Sequence, residues 1–268
     1  MMEPSRDLQA MIEAAQAAGV GLVKHFGRLS ELGIRSKSGP ADLVSIADEE
    51  AERTTRGILA KAQPGYGFLG EEGGAFGGSD GANTWIVDPL DGTTNFLFST
   101  PLWGVNVALA REGEVVAGVT HLPAIGETYV AERGKGCWLN GQRIHVSNRG
   151  TLIEAVLACG IPFSGKPDHP VFAREMALLS ADVAGIRRTG ACAVDMAWVA
   201  AGRWDAYWER ALNAWDMAPG IILVREAGGI ATSVSGDRLD LHEHNVCVSN
   251  GAVHAALVER LNLALATA

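Results

Sequence analysis

From Gly104 to Val146 the sequence alternates in short strand-like runs, with Pro123 and the Asn140-Gly141 pair as turns, and this stretch is expected to fold as an antiparallel meander. A sheet has to bury its apolar face against another layer, so the flanking segments must supply cover. Upstream, Leu8, Met11, Ile12, Ala15, Leu22, Val23 and Phe26 recur at helical spacing and predict an amphipathic helix ending near Gly27. A second helical pattern carries Ile46, Ile58 and Leu59 towards Pro64, and Tyr66 to Leu69 reads as a short strand. From residue 151 onward, strand and helix patterns alternate. Strands are expected at Ala155 to Cys159, Trp204 to Trp208 and Val246 to Ser249, and helices around Phe172 to Leu179, Val194 to Ala201, Met217 to Ala227 and Val253 to Leu265. Layered sheets with helices between them fit this mixture. With no repeat, charge run or linker, residues 1–268 are expected to form one domain of two intimate lobes, about 1–150 and 151–268.

A length of 268 residues, 47% hydrophobic and 20% charged, suffices for a substantial core. The formal charge of −9 and the lack of a basic run argue against a nucleic-acid partner. Cys137, Cys159, Cys192 and Cys247 form no C-x-x-C pair, which points to reduced thiols in a cytoplasm. Glu3, Arg6, Asp7 and Glu13 make the first residues unlike a secretory signal, and no apolar run is long enough to span a bilayer. A soluble cytoplasmic protein is expected.

The stretch that carries chemistry is Trp85-Ile86-Val87-Asp88-Pro89-Leu90-Asp91-Gly92-Thr93-Thr94-Asn95-Phe96. Trp85 to Val87 reads as a short buried strand, and Pro89 is expected to turn the backbone there, placing two carboxylates three positions apart at a strand end. Gly92 and the threonines then offer amides, hydroxyls and close backbone approach. Asp-Pro and Asp-Gly are common turn formers, and in isolation the segment reads as a turn. As a whole it resembles the signature of the inositol monophosphatase family, magnesium-dependent and lithium-sensitive phosphatases, matching at Trp85, Asp88, Asp91, Gly92, Thr93, Thr94 and Asn95.

The resemblance covers nearly the whole chain and implies a five-layer α+β sandwich, helix-sheet-helix-sheet-helix. It also implies a magnesium site with two or three ions, and bound cations would offset the chain's negative charge towards an anionic substrate. Gly70-Glu71-Glu72 resembles the family's G-E-E motif, so Glu71 would ligate metal and orient the attacking water; read alone it is a solvated acidic pair. Asn213 to Gly220 resembles the second signature, W-D-x-A-x-G, making Asp216 the last ligand, and Asp216 also reads as a helix N-cap with Pro219 in the first turn. One cation would be held by Glu71, Asp88 and the Leu90 carbonyl and activate a water for in-line attack. A second, held by Asp88, Asp91 and Asp216, would stabilise the leaving oxygen. The amides of Gly92 and Thr93 would hold the phosphate.

Asp42 to Asp48 resembles a D-x-V-T-x-x-D segment with Ser45 in place of threonine, which pairs Asp48 with the Thr93 hydroxyl; a Ser45-to-Asp48 capping box fits equally well. Lys37 aligns with a family lysine near the metal loop. Glu209 stands where polyol-binding members place a carboxylate for ring hydroxyls, although read alone it is a surface charge ending a strand. Gly190-Ala191-Cys192 replaces the usual G-T-A or G-S-A, losing a hydroxyl and adding bulk, and Phe98 replaces a frequent histidine. Two further patterns carry nothing. Gly65 to Gly70 matches G-x-G-x-x-G but follows Pro64 and runs into glutamates, and Gly77 to Gly81 matches the nucleophile elbow without a strand and helix around it.

The resemblance thus implies hydrolysis of inositol monophosphate or a similar small polyol phosphate, by a homodimer. Histidinol-phosphate phosphatase is the alternative within the class, while bisphosphate nucleotidases and fructose bisphosphatases need more chain. A regulatory or scaffold protein that keeps the fold is the alternative outside it.

Overall fold

A computed structural model of the chain describes residues 3–28, 35–36, 43–44 and 46–266. Helix α1 (Arg6–His25) starts where the Ser5 hydroxyl accepts the Leu8 N–H, and it buries Leu8, Met11, Ala15 and Leu22 along one stripe. It ends as expected, with Gly27 at φ +79°. A short antiparallel pair, β1 (Arg35–Ser36) and β2 (Leu43–Val44), precedes α2 (Ile46–Ala62), which packs on α1 through Ala47, Ala51 and Leu59.

Both helices cover one face of a large sheet. Its strands are β3 (Gly67–Gly70), β4 (Gly74–Phe76), β5 (Asn83–Asp91), β6 (Gly104–Arg111), β7 (Glu114–Leu122), β8 (Glu127–Glu132), β9 (Cys137–Leu139) and β10 (Gln142–Ile144), in the order β10-β9-β8-β7-β6-β5-β3-β4. The expected meander is β6 to β10, and its Asn140-Gly141 turn has both residues at positive φ. Strand β5 shows why the sheet reads as apolar throughout. Trp85 and Val87 join the core under α1 and α2, while Ile86 joins a second core on the other face.

That second core holds α5 (Cys192–Ala200) and α6 (Ala214–Glu226), sandwiched between the large sheet and a smaller one. The smaller sheet comprises β11 (Val156–Cys159), β12 (Gly185–Arg187), β13 (Ala206–Arg210), β14 (Ile230–Thr232) and β15 (Asn245–Ser249), ordered β12-β11-β13-β15-β14. Its outer face is covered by α4 (His169–Leu179) and α7 (His254–Ala266) around Leu157, Leu179, Leu257 and Leu261. The result is the five-layer α+β sandwich. No helix among the described residues is long and apolar enough to cross a membrane.

Because α6 is covered on all sides, Met217 to Val224 are all buried. Gly118 of β7 permits this approach: a Cβ there would lie 2.5 Å from Ile222 Cγ2 and 2.9 Å from the Pro219 carbonyl oxygen. Three expectations are corrected. Strand β5 does not stop at Val87 but runs through Pro89 to Asp91, because the proline sits in a bulge. Asn213, not Asp216, is the N-cap of α6; Asp216 is its third residue and Pro219 lies inside the helix. The strand expected at Trp204 to Trp208 begins at Ala206 and runs to Arg210. The three-residue strands β4, β12 and β14 were not anticipated, being too short to show a period.

Candidate metal and phosphate site

Residues three apart in an unbroken strand face opposite ways. In β5, Asp88 pairs with Asn106 and Asp91 with Gly104, so Pro89 and Leu90 together oppose Val105. This bulge adds one residue and turns both acids to the α5–α6 face, while spending the ladder position at which proline has no N–H to give. Leu90 keeps its side chain in the outer core. Its N–H donates to Asp88 Oδ1 (2.9 Å), and its carbonyl accepts from Thr93 Oγ1 (3.1 Å).

Each acid is aimed by a different element. Asp91 Oδ2 accepts the Ala193 N–H (2.6 Å), so it caps α5, whose own N-cap Ala191 has no side-chain oxygen to offer. Asp216 Oδ2 accepts the Asn213 N–H (2.6 Å) across the first turn of α6. Glu71 follows β3, where its N–H donates to the Val87 carbonyl (3.2 Å) and sets it beside Asp88. One carboxylate oxygen from each of Asp88, Asp91 and Asp216 can be chosen so that all lie within 4.8 Å of one another.

Burial first, and then the charges of Glu71, Asp91 and Asp216, push Asp88 well above the usual carboxylate range. Asp91 rises likewise through burial and Asp216, against the pull of the Ala193 amide. Burial and Glu71 raise Asp216 to about 7. A group of oxygen donors that repel one another and lack nitrogen or sulfur fits a hard divalent cation such as magnesium.

The carboxylates open onto a cavity of about 510 Å³ whose lining includes Glu71, Asp91 and Asp216. Gly92, Thr93, Gly190, Ala191 and Glu209 line it as well. Asp48, Asp88 and Leu90 are buried outside that lining. The Thr93 hydroxyl is shared between the Leu90 carbonyl and Asp48 Oδ1 (3.2 Å). The alternative partner of Asp48, Ser45, lies outside the described residues, as do Lys37 and Asp42. Gly92, at φ +84°, begins the short helix α3 (Thr93–Leu97), and a Cβ there would come within 3.0 Å of Ala191 Cβ and 3.1 Å of the Leu102 carbonyl. Glu209 is raised by burial, accepts a hydrogen bond from the Tyr207 hydroxyl, and sits so close over Gly160 that a Cβ there would require its carboxylate to shift. Cys192 is buried against Met196, its thiol pushed up by burial, and the Phe98 side chain is exposed outside the cavity lining.

The sequence profile of the inositol monophosphatase family matches residues 3–265. The chain belongs to that family. Inositol monophosphatase family members are phosphoric monoester hydrolases, and the chain is an enzyme of this class. It is 49% identical to the inositol-1-monophosphatase of Caulobacter vibrioides over 95% of this chain and all of that one. It is 38% identical to the Nus factor SuhB of Pseudomonas aeruginosa over 94% of each. The crystal structure of the extragenic suppressor protein suhB from Bartonella henselae superposes with a TM-score of 0.93 at 42% identity, covering 96% of this chain and 98% of that one.

Several contacts around this family site were not anticipated. Asn106, fully buried, donates to the Asp216 carbonyl (3.2 Å) and accepts from Thr120 Oγ1 (2.7 Å), tying the first turn of α6 to the large sheet. Two polar residues inside apolar strands were the available signal. Asn95 donates to the carbonyls of Leu102 (2.6 Å) and Thr189 (2.9 Å), joining α3 to the turn before α5. Lys166 and Arg188 also line the cavity and read in sequence as ordinary surface cations.

Proposed function

We propose that the chain is a magnesium-dependent phosphate monoesterase acting on inositol monophosphate or a similar small polyol phosphate. The observation that carries this reading is the convergence of Asp88, Asp91 and Asp216 beside a cavity that also presents Glu209. Asp88, Asp91 and Asp216, with Glu71 and the Leu90 carbonyl, would hold the ions. When bound, divalent cations neutralise phosphate oxygens, acidify a coordinated water and stabilise the departing alkoxide.

The chain's own groups do the rest. The Ala193 amide and the Asn213 amide each occupy one carboxylate oxygen, so Asp91 and Asp216 are held in one orientation with the other oxygen free to face the cavity. Asp48 and the Leu90 carbonyl orient the Thr93 hydroxyl, whose oxygen lone pairs stay available to a water beside the phosphate. The backbone at Gly92 and Thr93, clear of any side chain at Gly92, receives phosphate oxygens. Glu209, anchored by Tyr207, accepts from ring hydroxyls. The same carboxylate would pair with the ammonium of histidinol phosphate, the competing substrate.

Phosphate release from inositol 1-phosphate, histidinol phosphate and related monoesters, with magnesium and with chelator, tests the reading. Release that requires magnesium is expected, with inhibition by lithium. Equal release in chelator would overturn it. We also expect a homodimer, which sedimentation would check. We place the protein in a cytoplasm, because its cysteines are buried thiols instead of disulfides. The relatives named Nus factor SuhB favour a second, regulatory reading. Asp91→Asn separates the two, since it should abolish phosphate release and leave a regulatory surface intact.

A further inference from the structure

The cavity extends past Glu209 to the loop at 160–166, and its rim there is cationic. Lys166 Nζ donates to the Ala211 carbonyl (2.9 Å) and lies 5.3 Å from the Phe163 ring centre, which leaves two of its three N–H groups for other partners. Arg188 is exposed and makes no hydrogen bond or ion pair among the described residues. Its Nη1 lies 3.6 Å from where a Cβ on Gly190 would stand, so it flanks the turn that lines the cavity. A third cation in the lining, Arg210, is taken up by Glu175.

Neutralising Glu209 does not account for the pair. Lys166 and Arg188 both act on Glu209 through space, yet among the described residues neither forms an ion pair with it, and the Glu209 carboxylate is engaged by Tyr207. Lys166 also acts through space on Asp216, so its charge reaches both the acid group and Glu209. In a chain of net charge −9, two cations that line the cavity and make no carboxylate ion pair among the described residues are spare charge at the place where the alcohol moiety would lie. A guanidinium offers a planar fork to paired oxygens and an ammonium a point charge, and both suit an oxyanion.

We propose that Lys166 and Arg188 form an anion subsite beside Glu209 that selects polyol phosphates bearing a second anionic group, a phosphate or a carboxylate, on the alcohol moiety. The proposal rests on the phosphatase reading for the position of the first phosphate.

The test compares kcat/KM for a polyol monophosphate, the matching bisphosphate and a phosphorylated sugar acid, in the wild type, Lys166→Ala, Arg188→Ala and Arg188→Lys. The expected result is a fall of about tenfold or more in the ratio of doubly anionic to singly anionic substrate in both alanine variants, carried by KM. Arg188→Lys should recover part of it. A bisphosphate favoured over the sugar acid names phosphate as the second group, and equal preference names any oxyanion. Ratios that do not change between wild type and variants overturn the subsite. Titration calorimetry with Asp91→Asn reads the same preference without turnover. If no substrate releases phosphate, the activity reading fails, while tighter binding of the bisphosphate that Arg188→Ala removes still supports the subsite. Equal affinities would overturn it.

Discussion

Removing the cation should turn the acid group against the fold. In the metal-free protein Asp88, Asp91 and Asp216 all hold their protons more tightly than an unfolded chain does, because burial and mutual repulsion disfavour their charges. The stability tied to such a group is fully present below its unfolded value of 3.8 and is lost as pH climbs through its folded value, about 7 for Asp216. That rise corresponds to roughly 4 kcal/mol for Asp216 acting alone. Opening to cavity water and sharing of the repulsion with Asp91 and Glu71 reduce it to about 2 kcal/mol. For a chain of this size, that is a drop of about 4–8 °C in Tm.

The assay is a thermal melt in chelator from about pH 5 to about pH 8, followed by magnesium at the upper end. Asp216→Asn is the internal control, since the amide oxygen can still accept from Asn213 while the charge is gone. In chelator at the upper pH this variant should melt above the wild type, with a shallower pH dependence and a weakened response to magnesium, although its phosphate release is lost. Such a gain of stability with loss of function is expected where like charges are held together for binding. If chelated Asp216→Asn melts below the wild type at the upper pH, the repulsion invoked here does not exist. If magnesium leaves the wild type unmoved, the group is not a cation site.

Thr93→Val removes the hydroxyl that Asp48 and the Leu90 carbonyl hold, and turnover should fall about 10–100-fold with little change in Tm, as for groups that orient a metal site's contents. Asn106→Leu cuts the tie to the Asp216 carbonyl and leaves Thr120 Oγ1 without its acceptor, so a loss of about 1–3 kcal/mol should appear in denaturant melts, together with weaker magnesium affinity. Gly92→Ala forces a side chain into the left-handed region against Ala191 and the Leu102 carbonyl. It should cost about 1–2 kcal/mol and raise KM for the phosphate ester, and an unchanged KM would remove Gly92 from the phosphate cradle.

What could be read from the sequence was what depends on near neighbours. Helices with one covered face, α1, α2 and α7, showed their period, whereas α6, buried all round from Met217 to Val224, showed none, and its start was misplaced. Pro89 looked like the end of a strand because the bulge that accommodates it is made by pairing with β6, not by local sequence. The acids were legible as a motif. That Asp88 and Asp91 face the same way was not, since it follows from that bulge. Nor was the capping of α5 by Asp91, across 102 positions, visible in any window of sequence. Lys166 and Arg188 escaped for a similar reason: a cation on a loop looks solvated until the fold shows which cavity it borders.

The acids are aimed by α5 and α6, and these helices are positioned by the middle core that both sheets share, so site geometry should depend on that core far more than on the outer ones. Gly118→Ala and Leu257→Ala test the difference. The first drives a Cβ to within 2.5 Å of Ile222 and 2.9 Å of the Pro219 carbonyl, displacing α6 from the large sheet at a cost of about 1–3 kcal/mol. The second empties a fully buried position under α7, in the outer core, at a cost of about 2–5 kcal/mol. Stability alone would therefore rank Leu257→Ala as the more damaging change. Activity should rank them in reverse when kcat is measured well below both melting transitions: near wild type for Leu257→Ala, and reduced for Gly118→Ala with weaker magnesium affinity, because Asp216 moves with its helix. Equal kcat in the two variants would mean that Asp216 is held by local hydrogen bonds alone and that the layering does not tune the site.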